Sequence, residues 1–280
     1  MNYAVVYISP AGTTRHAAQI LGEQLSALGK SSRSFDLGDS ASRAEAQHFF
    51  DDSGQDTCLF VGSPVYASHA VPMVMDFIAG LSAGKSCCSV PFVTWGAVTS
   101  GLALFEMATA LEARGYPVMA AVKIVAQHSL LWQSESPLGC GRPDSADDLI
   151  VRAMVKKVVS ALDAGASAYL PSAELMYQPE PLQKIMAGLV LSSVRKVLPQ
   201  ISLQSDLCTL CGDCVGACPA NAVEIGDGPV FNDRCIACYN CVRACPENAL
   251  QADFSSMAAG LAQRMRDFGE SSETRVYLPG

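Results

Sequence analysis

Eight of the twelve cysteines fall into two short runs, each with two, two and three intervening residues and a closing Cys-Pro pair. A spacing of two residues lets three thiolates of one tight loop reach three irons of one cubane. The segment ACPANAVEI is echoed by ACPENALQA 27 residues later, so the two runs form an internal repeat. The alternative is two structural zinc sites, which would also use four cysteines each but would not need this paired spacing. The pattern therefore predicts two [4Fe–4S] clusters, with the ligands Cys208, Cys211, Cys214, Cys218, Cys235, Cys238, Cys241 and Cys245.

Residues 201–252 resemble the bacterial two-cluster ferredoxins in this cysteine pattern. In that arrangement the fourth cysteine of each run ligates the cluster of the other run. The resemblance implies one cluster held by Cys208, Cys211, Cys214 and Cys245, and a second held by Cys235, Cys238, Cys241 and Cys218. A segment of this size buries little apolar surface, so we expect the clusters to hold its fold together.

A second candidate site begins after the first apolar run, where a loop rich in hydroxyl groups precedes a predicted helix. Hydroxyls and backbone amides at a helix N-terminus form an anion site. The loop has no Walker lysine and no Gly-x-Gly-x-x-Gly fingerprint, and the alternative is a plain helix cap made by Ser9 or Thr13. The candidate phosphate-binding residues are Ser9, Ala11, Gly12, Thr13 and Thr14.

Two further loops at predicted strand ends each carry an aromatic residue, Tyr66 in one and Trp95 in the other. A flat isoalloxazine ring needs aromatic faces to stack on, and the neighbouring loop offers hydroxyls for a phosphate. The agreement of three strand ends favours a flavin over a simple cap. The candidate residues of these loops are Ser63, Pro64, Val65, Tyr66, Ala67, Thr94, Trp95, Gly96 and Ala97.

Residues 1–165 resemble a flavodoxin at these loops. The sequence SPAGTT at 9–14 is similar to the family's Thr-x-Thr-Gly-x-Thr phosphate loop, with serine and alanine in place of the first two threonines. The resemblance implies FMN, with the hydroxyl loop around its phosphate and Tyr66 and Trp95 near its ring. Taken whole, the chain resembles prokaryotic proteins that fuse a flavodoxin-like domain to a two-cluster ferredoxin, through stretches such as QHS at 127–129 and GRPD at 141–144.

The elements that must position these residues alternate in the first half of the chain. Five apolar strands alternate with about five amphipathic helices, which predicts a flavodoxin-like doubly wound parallel sheet of the α/β class. In such sheets ligands lie beyond the carboxyl ends of the strands. A small α+β ferredoxin domain completes the predicted fold. The expected divisions are 1–165 for the FMN-binding domain, 166–200 for a linker and packing helix, 201–252 for the ferredoxin domain, and 253–280 for a helix and a mobile polar tail.

Composition limits the classes of function. The net charge of −8, from 27 acidic and 19 basic residues, argues against nucleic-acid binding and suits a basic redox partner. The longest apolar run is too short to span a bilayer. The N-terminus has no basic region ahead of its apolar stretch, so we expect a cytoplasmic protein. Cysteine-rich runs in a reducing compartment favour metal over disulfides.

The sequence predicts an electron-transfer protein that passes electrons between FMN and two [4Fe–4S] clusters, linking two-electron and one-electron partners. These partners are redox proteins or a small-molecule reductant. One alternative is an enzyme, an NAD(P)H- or quinone-dependent flavin reductase. Another is a ferredoxin whose first domain is a docking module without flavin. His128 allows two interpretations, as a proton donor or as a packing residue. Arg15 also allows two, as a partner of the phosphate or as a solvated side chain.

Overall fold

The computed structural model describes residues 1–52, 56–82, 87–165 and 168–280. Five parallel strands form the centre of the main sheet, in the order β2-β1-β3-β5-β6. This is the flavodoxin-like order, which confirms the predicted fold class. The strands are β1 Asn2–Tyr7, β2 Ser32–Asp36, β3 Thr57–Tyr66, β5 Cys88–Trp95 and β6 Ala121–Val125, and the two-residue β4 His69–Ala70 folds back on β3.

Five helices cover the two faces of this sheet, because each strand is apolar on both sides and must be buried on both. On one face, α1 and α5 pack over Val5, Phe60 and Val122. On the other, α2, α3 and α4 pack over Val6, Val61 and neighbouring residues. The helices are α1 Thr13–Ala27, α2 Ser40–Asp52, α3 Pro72–Gly80, α4 Ala103–Ala113 and α5 Ser145–Asp163.

The connecting segment contains two helices rather than the single packing helix predicted within residues 166–200. A 3-10 turn at Ser172–Leu175 precedes α6 Glu180–Ala187, and α7 Leu191–Val194 follows. Pro181 lies in the first turn of α6, where a missing N–H is tolerated. The helical hydrogen-bond pattern stops at Gly188, and Val190 is extended with ψ near 137°. The break lets α7 turn away from the axis of α6.

The iron–sulfur region is built from short elements around its own apolar cluster. Val223, Tyr239, Leu250 and Phe254 form the centre of that cluster. Trp132 from the first domain packs against it, with its ring centroid 4.4 Å from that of Phe254. The elements are β7 Ser202–Leu203, α8 Asp213–Gly216, β8 Val223–Ile225, β9 Pro229–Phe231, α9 Asn240–Arg243, β10 Leu250–Gln251 and α10 Met257–Phe268.

The C-terminal tail differs from the sequence prediction. We expected residues from Glu270 onward to be polar and mobile, but Arg275–Tyr277 forms β11, an antiparallel strand paired with β6. Glu270 is buried against Lys123 at 2.5 Å. The prediction was wrong because the partners of this tail lie about 150 residues earlier in the chain, beyond the reach of local pattern. The tail thus adds a sixth strand to the edge of the sheet.

Candidate functional site

The hydroxyl loop lies between the end of β1 and the start of α1. Gly12 is exposed and adopts φ +90°, a left-handed conformation that favours glycine. Ser9 Oγ accepts a hydrogen bond from Arg15 N at 2.8 Å, so this side chain caps the helix. Thr14 Oγ1 lies 2.7 Å from Thr94 Oγ1 in the buried layer beneath the loop. Arg15 N is already bonded, whereas the amides of Thr13 and Thr14 have no acceptor within the helix and are left for an anion.

A cleft runs from this loop between the ends of β3 and β5. Ten of the fourteen candidate flavin residues line it or the pocket that continues it: Ala11, Thr13, Thr14, Pro64, Val65, Tyr66, Ala67, Thr94, Trp95 and Gly96. Ser9, Gly12, Ser63 and Ala97 are not among the lining residues. Ser63 is fully buried, and its Oγ accepts from Val71 N at 3.0 Å, so it holds the β3 turn rather than facing the cleft.

Two residues that line the cleft each carry a buried polar atom without a hydrogen-bond partner among the described residues. These atoms are the Tyr66 hydroxyl and the Trp95 Nε1. An unsatisfied buried donor costs about 1–3 kcal/mol, so such atoms point to a ligand or water that completes them. The Trp95 ring is only 1% exposed, and Lys123 Nζ lies 5.2 Å from its centroid. Trp95 therefore has less open stacking surface than the sequence suggests.

The turn at Ala67 and the end of β5 bring backbone close to the cleft. Ala67 and Ser68 both have positive φ, at 50° and 70°, although neither is glycine. At Gly96 an added Cβ would lie 2.8 Å from His128 Cα, so only glycine lets these two segments approach so closely. The strained turn and this close approach shape the walls of the cleft.

His128 and Arg15 have defined roles in the structure. His128 Nδ1 accepts a hydrogen bond from Leu130 N at 3.3 Å, and burial lowers the pKa of this histidine to about 4. It is neutral at pH 7 and serves as a packing and capping residue that also lines the pocket. Arg15 is about half exposed, and its guanidinium forms an ion pair with Asp36 at 2.9 Å. In this structure its partner is therefore a carboxylate of the protein.

The far end of the pocket is lined by both halves of the chain. Its floor includes Val98 and Ser129 of the first domain, and its roof comes from the connecting segment, α10 and the iron–sulfur region. Ile236 and Ala237 also line it, and they stand between the candidate ligands Cys235 and Cys238. The roof residues are Leu189, Leu191, Val194, Leu198, Met257, Leu261, Arg264 and Phe268. Sequence reasoning missed this roof because its helices carry ordinary amphipathic patterns.

The two cysteine runs adopt the same backbone conformation. Positive φ values recur 27 residues apart, at Leu210 and Ala237, at Gly212 and Tyr239, and at Asn221 and Asn248. The sulfur contacts recur as well. Ala222 N donates to Cys218 Sγ and Ala249 N donates to Cys245 Sγ, both at 3.2 Å. The sequence repeat is therefore also a structural repeat.

The cysteines group across the two runs. One hollow is lined by Cys208, Cys211, Cys214 and Cys245. In the other group, burial raises the pKa of Cys238 and Cys241 to about 12, and the neighbouring Cys218 and Cys235 add to the rise. Buried thiols with raised pKa values need a bound cation to become thiolates. We call the first group the outer set and the second the inner set, since Cys211 is exposed while Cys238 and Cys241 are buried.

The inner set lies against the first domain. Arg43 of α2 donates to the carbonyl of Pro219 at 3.1 Å, next to Cys218. Arg243 donates to the Cys238 carbonyl at 2.8 Å and to the Ser129 carbonyl at 2.6 Å, which joins a cysteine loop to the pocket floor. Within the described ranges, no three or more His, Cys, Asp or Glu side chains are grouped to hold a single metal ion. Cubane ligands each bind a separate iron and need not converge on one point.

Comparisons with known proteins find separate similarities for the C-terminal and the N-terminal part of the chain. Residues 200–246 match the family model of the 4Fe-4S dicluster domain. None of the curated proteins compared matches the sequence. Among the described residues, no helix has the length and apolar character needed to cross a membrane.

Several solved structures are similar to the N-terminal part of the chain. Rubredoxin oxygen:oxidoreductase from the anaerobe Desulfovibrio gigas is 21% identical over 58% of this chain, with a TM-score of 0.45, and only 36% of that longer protein is covered. A flavodoxin from the domain Archaea is 19% identical, covering 58% of this chain and 99% of its own, with a TM-score of 0.43. An NADH:FMN oxidoreductase in its apo form is 19% identical, covering 65% and 98%, with a TM-score of 0.42.

The strand order of the sheet, rather than these overall similarities, defines the first domain as flavodoxin-like. The chain thus joins a flavodoxin-like domain to a 4Fe-4S dicluster domain. This combination supports a role in electron transfer, with iron–sulfur centres in the C-terminal part.

Proposed function

We propose that this protein is an electron carrier that binds FMN in the cleft and two [4Fe–4S] clusters in the cysteine groups, linking two-electron and one-electron redox partners. One observation carries the proposal. The pocket at the ends of β3 and β5 extends to Ile236 and Ala237, which stand between two ligands of the inner set. A cofactor in that pocket would therefore touch the polypeptide that holds the nearer cluster.

The residues of the cleft fit a flavin mononucleotide. The hydroxyl loop and the N-terminus of α1 offer a single anion site, and no second nucleotide fingerprint follows it. The Tyr66 hydroxyl and Trp95 Nε1 are buried donors without an acceptor, and a flavin ring carries several acceptor atoms. The same orphaned atoms argue against a docking module without a cofactor.

In this proposal the chain binds, orients and shields, while FMN when bound supplies the ability to exchange electrons singly or in pairs. Thr13 and the first turn of α1 hold the phosphate. Tyr66 fixes the ring through its hydroxyl, and the apolar roof of α7 and α10 excludes water from the ring end. His128, neutral at pH 7, keeps the floor uncharged and does not supply a proton as imidazolium.

The cysteine groups would each hold one [4Fe–4S] cluster, with the crossover that the groupings support. Amide donors to Cys218 and Cys245 stabilise negative charge on their sulfurs. The two modules share continuous apolar packing, since Ile236 and Cys238 belong to the same buried cluster as Val61 and Val93 of the sheet. This packing holds the two kinds of cofactor site in a fixed arrangement.

Titration of flavin into the flavin-free, full-length protein tests the cleft. We expect tight FMN binding and much weaker FAD binding. Tyr66→Phe keeps the ring and removes the orphaned hydroxyl, so it should weaken FMN binding by about 1 kcal/mol, roughly fivefold. The matched control is Tyr277→Phe, which removes another buried tyrosine hydroxyl at a residue that does not line the cleft or its pocket, and should leave the affinity unchanged.

Binding of FAD alone, or no flavin binding at all, would refute the flavin part of the proposal. Anaerobic mixing of the loaded protein with NADH or NADPH separates a carrier from a reductase. A carrier should show no rapid bleaching of the flavin band, whereas direct reduction by either nucleotide would favour the reductase alternative.

A further inference from the structure

The charged side chains around the two cysteine groups differ, although the backbone repeats. The sequence repeat aligns Gly216 with Arg243 and Asp213 with Asn240. The inner set therefore gains a cation and loses an anion relative to the outer set. The positive-φ positions of the two loops match, so this asymmetry lies in the side chains and not in the backbone.

Three arginines reach backbone carbonyls beside the inner set. Arg243 is bonded to the Cys238 carbonyl, Arg43 to the Pro219 carbonyl, and Arg195 to the Asp233 carbonyl at 2.9 Å. The Arg243 guanidinium also lies over the Trp132 ring, 4.2 Å from its centroid. It is a partly buried cation, and the described residues include no carboxylate in a salt bridge with it. Asp233 and Arg234 are both exposed and offset each other in charge.

The outer set has the opposite environment. Asp206, Asp213 and Glu247 each lie within two residues of one of its cysteines, and all three are exposed. Between residues 201 and 252 the only basic residues are Arg234 and Arg243, and both are in the second run. A cluster bound to the outer set would thus have acidic neighbours, and one bound to the inner set would have arginines.

We propose that the inner cluster accepts an electron more readily than the outer cluster, and that Arg243 is the main cause. This inference rests on the proposed function, because it needs both clusters. Reduction adds one negative charge to a cluster, and a nearby cation favours that form while nearby carboxylates oppose it. Burial of the inner set opposes reduction, because a buried site disfavours the added charge. Burial also reduces the screening of Arg243, so the attraction between Arg243 and the reduced cluster is stronger.

The direction of electron flow follows from this order. A one-electron donor would first transfer its electron to the outer cluster, because Cys211 of the outer set is exposed. One electron would leave the outer cluster, which returns to its oxidised form, and enter the inner cluster beside the flavin pocket, with no proton or bond involved. Arg243 is a positioning residue as well, since its second bond to the Ser129 carbonyl holds the inner loop against the pocket floor.

An anaerobic redox titration of the full-length holoprotein, followed by electron paramagnetic resonance, tests the inference. We expect two cluster signals with different midpoints. Arg243→Gln should lower the midpoint of the cluster that is reduced first, by at least a tenfold change in its reduction equilibrium, which is 59 mV for one electron. Arg243→Lys keeps the charge and should retain most of the midpoint. Asp213→Asn should raise the midpoint of the cluster that is reduced second.

Arg266→Gln is the matched control, because Arg266 is an exposed arginine of α10 bonded to Gln263. It should leave both midpoints unchanged. Iron and sulfide analysis of every variant distinguishes failure of the proposed function from failure of this inference. Fewer than eight irons and eight sulfides per chain would overturn the proposed pair of clusters. If every variant carries eight irons and eight sulfides, but Arg243→Gln shifts only the midpoint of the cluster reduced second, or shifts neither midpoint, the inference alone is overturned.

Discussion

At the scale of single residues, the sequence shows what a group can do but not which groups are already engaged. The cysteine spacing predicted the ligands, because spacing is a local property, and the resemblance to two-cluster ferredoxins implied the crossover. In the structure Cys245 lines one hollow with Cys208, Cys211 and Cys214. Side chains with two plausible partners were harder to assign. Ser63 holds a turn and Arg15 pairs with Asp36, and both outcomes depend on contacts made by other strands. Arg243 could have been found from the repeat, as an arginine where its counterpart is glycine.

The buried His128 predicts a pH dependence of stability. Its pKa is lowered to about 4 in the folded protein, against about 6.5 in an unfolded chain. Between these pKa values His128 is protonated in the unfolded chain and neutral in the folded protein. The stabilisation is therefore complete above pH 6.5 and is lost as the pH falls toward 4. At pH 5 the loss is about 2 kcal/mol.

Melting temperatures of the holoprotein at pH 7.5 and pH 5, followed by far-UV circular dichroism, measure this effect. His128→Gln should reduce the difference between the two pH values, since glutamine does not titrate. His48→Gln, at an exposed position, is the control and should keep the difference of the parent protein. An unchanged difference in His128→Gln would mean that other groups produce the pH dependence.

At the scale of elements, periodicity predicted the five parallel strands and their helices, because both are set by local sequence. Long-range elements were missed. The strand β11 is three residues long and reaches β6 from the other end of the chain. The break between α6 and α7 at Gly188 and Val190 was missed as well. The roof over the pocket comes from the connecting segment and α10, so the pocket crosses the domain boundaries expected from sequence.

The attachment of the tail depends on a buried ion pair. The side chains of Lys123 and Glu270 are 5% and 7% exposed, and Glu270 also accepts from Ser100 N and Gln178 Nε2. Burial alone would raise the pKa of Glu270, but Lys123 and these donors hold it below its ordinary value. Glu270→Gln leaves a buried ammonium group without its counter-charge, which should cost about 3–5 kcal/mol.

Thermal unfolding measures this cost, and limited proteolysis of the C-terminus reports whether β11 detaches. Glu180→Gln is the matched control, because its pair with Lys184 is about three-quarters exposed on both sides. An exposed pair of this kind contributes about 0.5 kcal/mol or less. Equal effects of the two substitutions would show that the buried pair does not hold the tail.

At the scale of the whole molecule, the two modules act as one because apolar packing and hydrogen bonds join them around the pocket. The ring of Trp132 packs against the rings of Tyr239 and Phe254 in the iron–sulfur core, and Arg243 bonds across the same boundary. Composition and motifs predicted both modules, since each carries its own signature. They could not predict that Ile236 and Ala237, between two cysteines of the inner set, line the pocket, because that depends on how the two modules pack together.

Cofactor analysis of the anaerobically purified full-length protein tests the central claim most directly. Flavin is released and identified by mass, and iron and acid-labile sulfide are quantified per chain. The account predicts one FMN, about eight iron atoms and about eight sulfides, as two [4Fe–4S] clusters require. Stoichiometric zinc without sulfide, or intact clusters with no flavin in a protein that cannot be reconstituted with FMN, would contradict it.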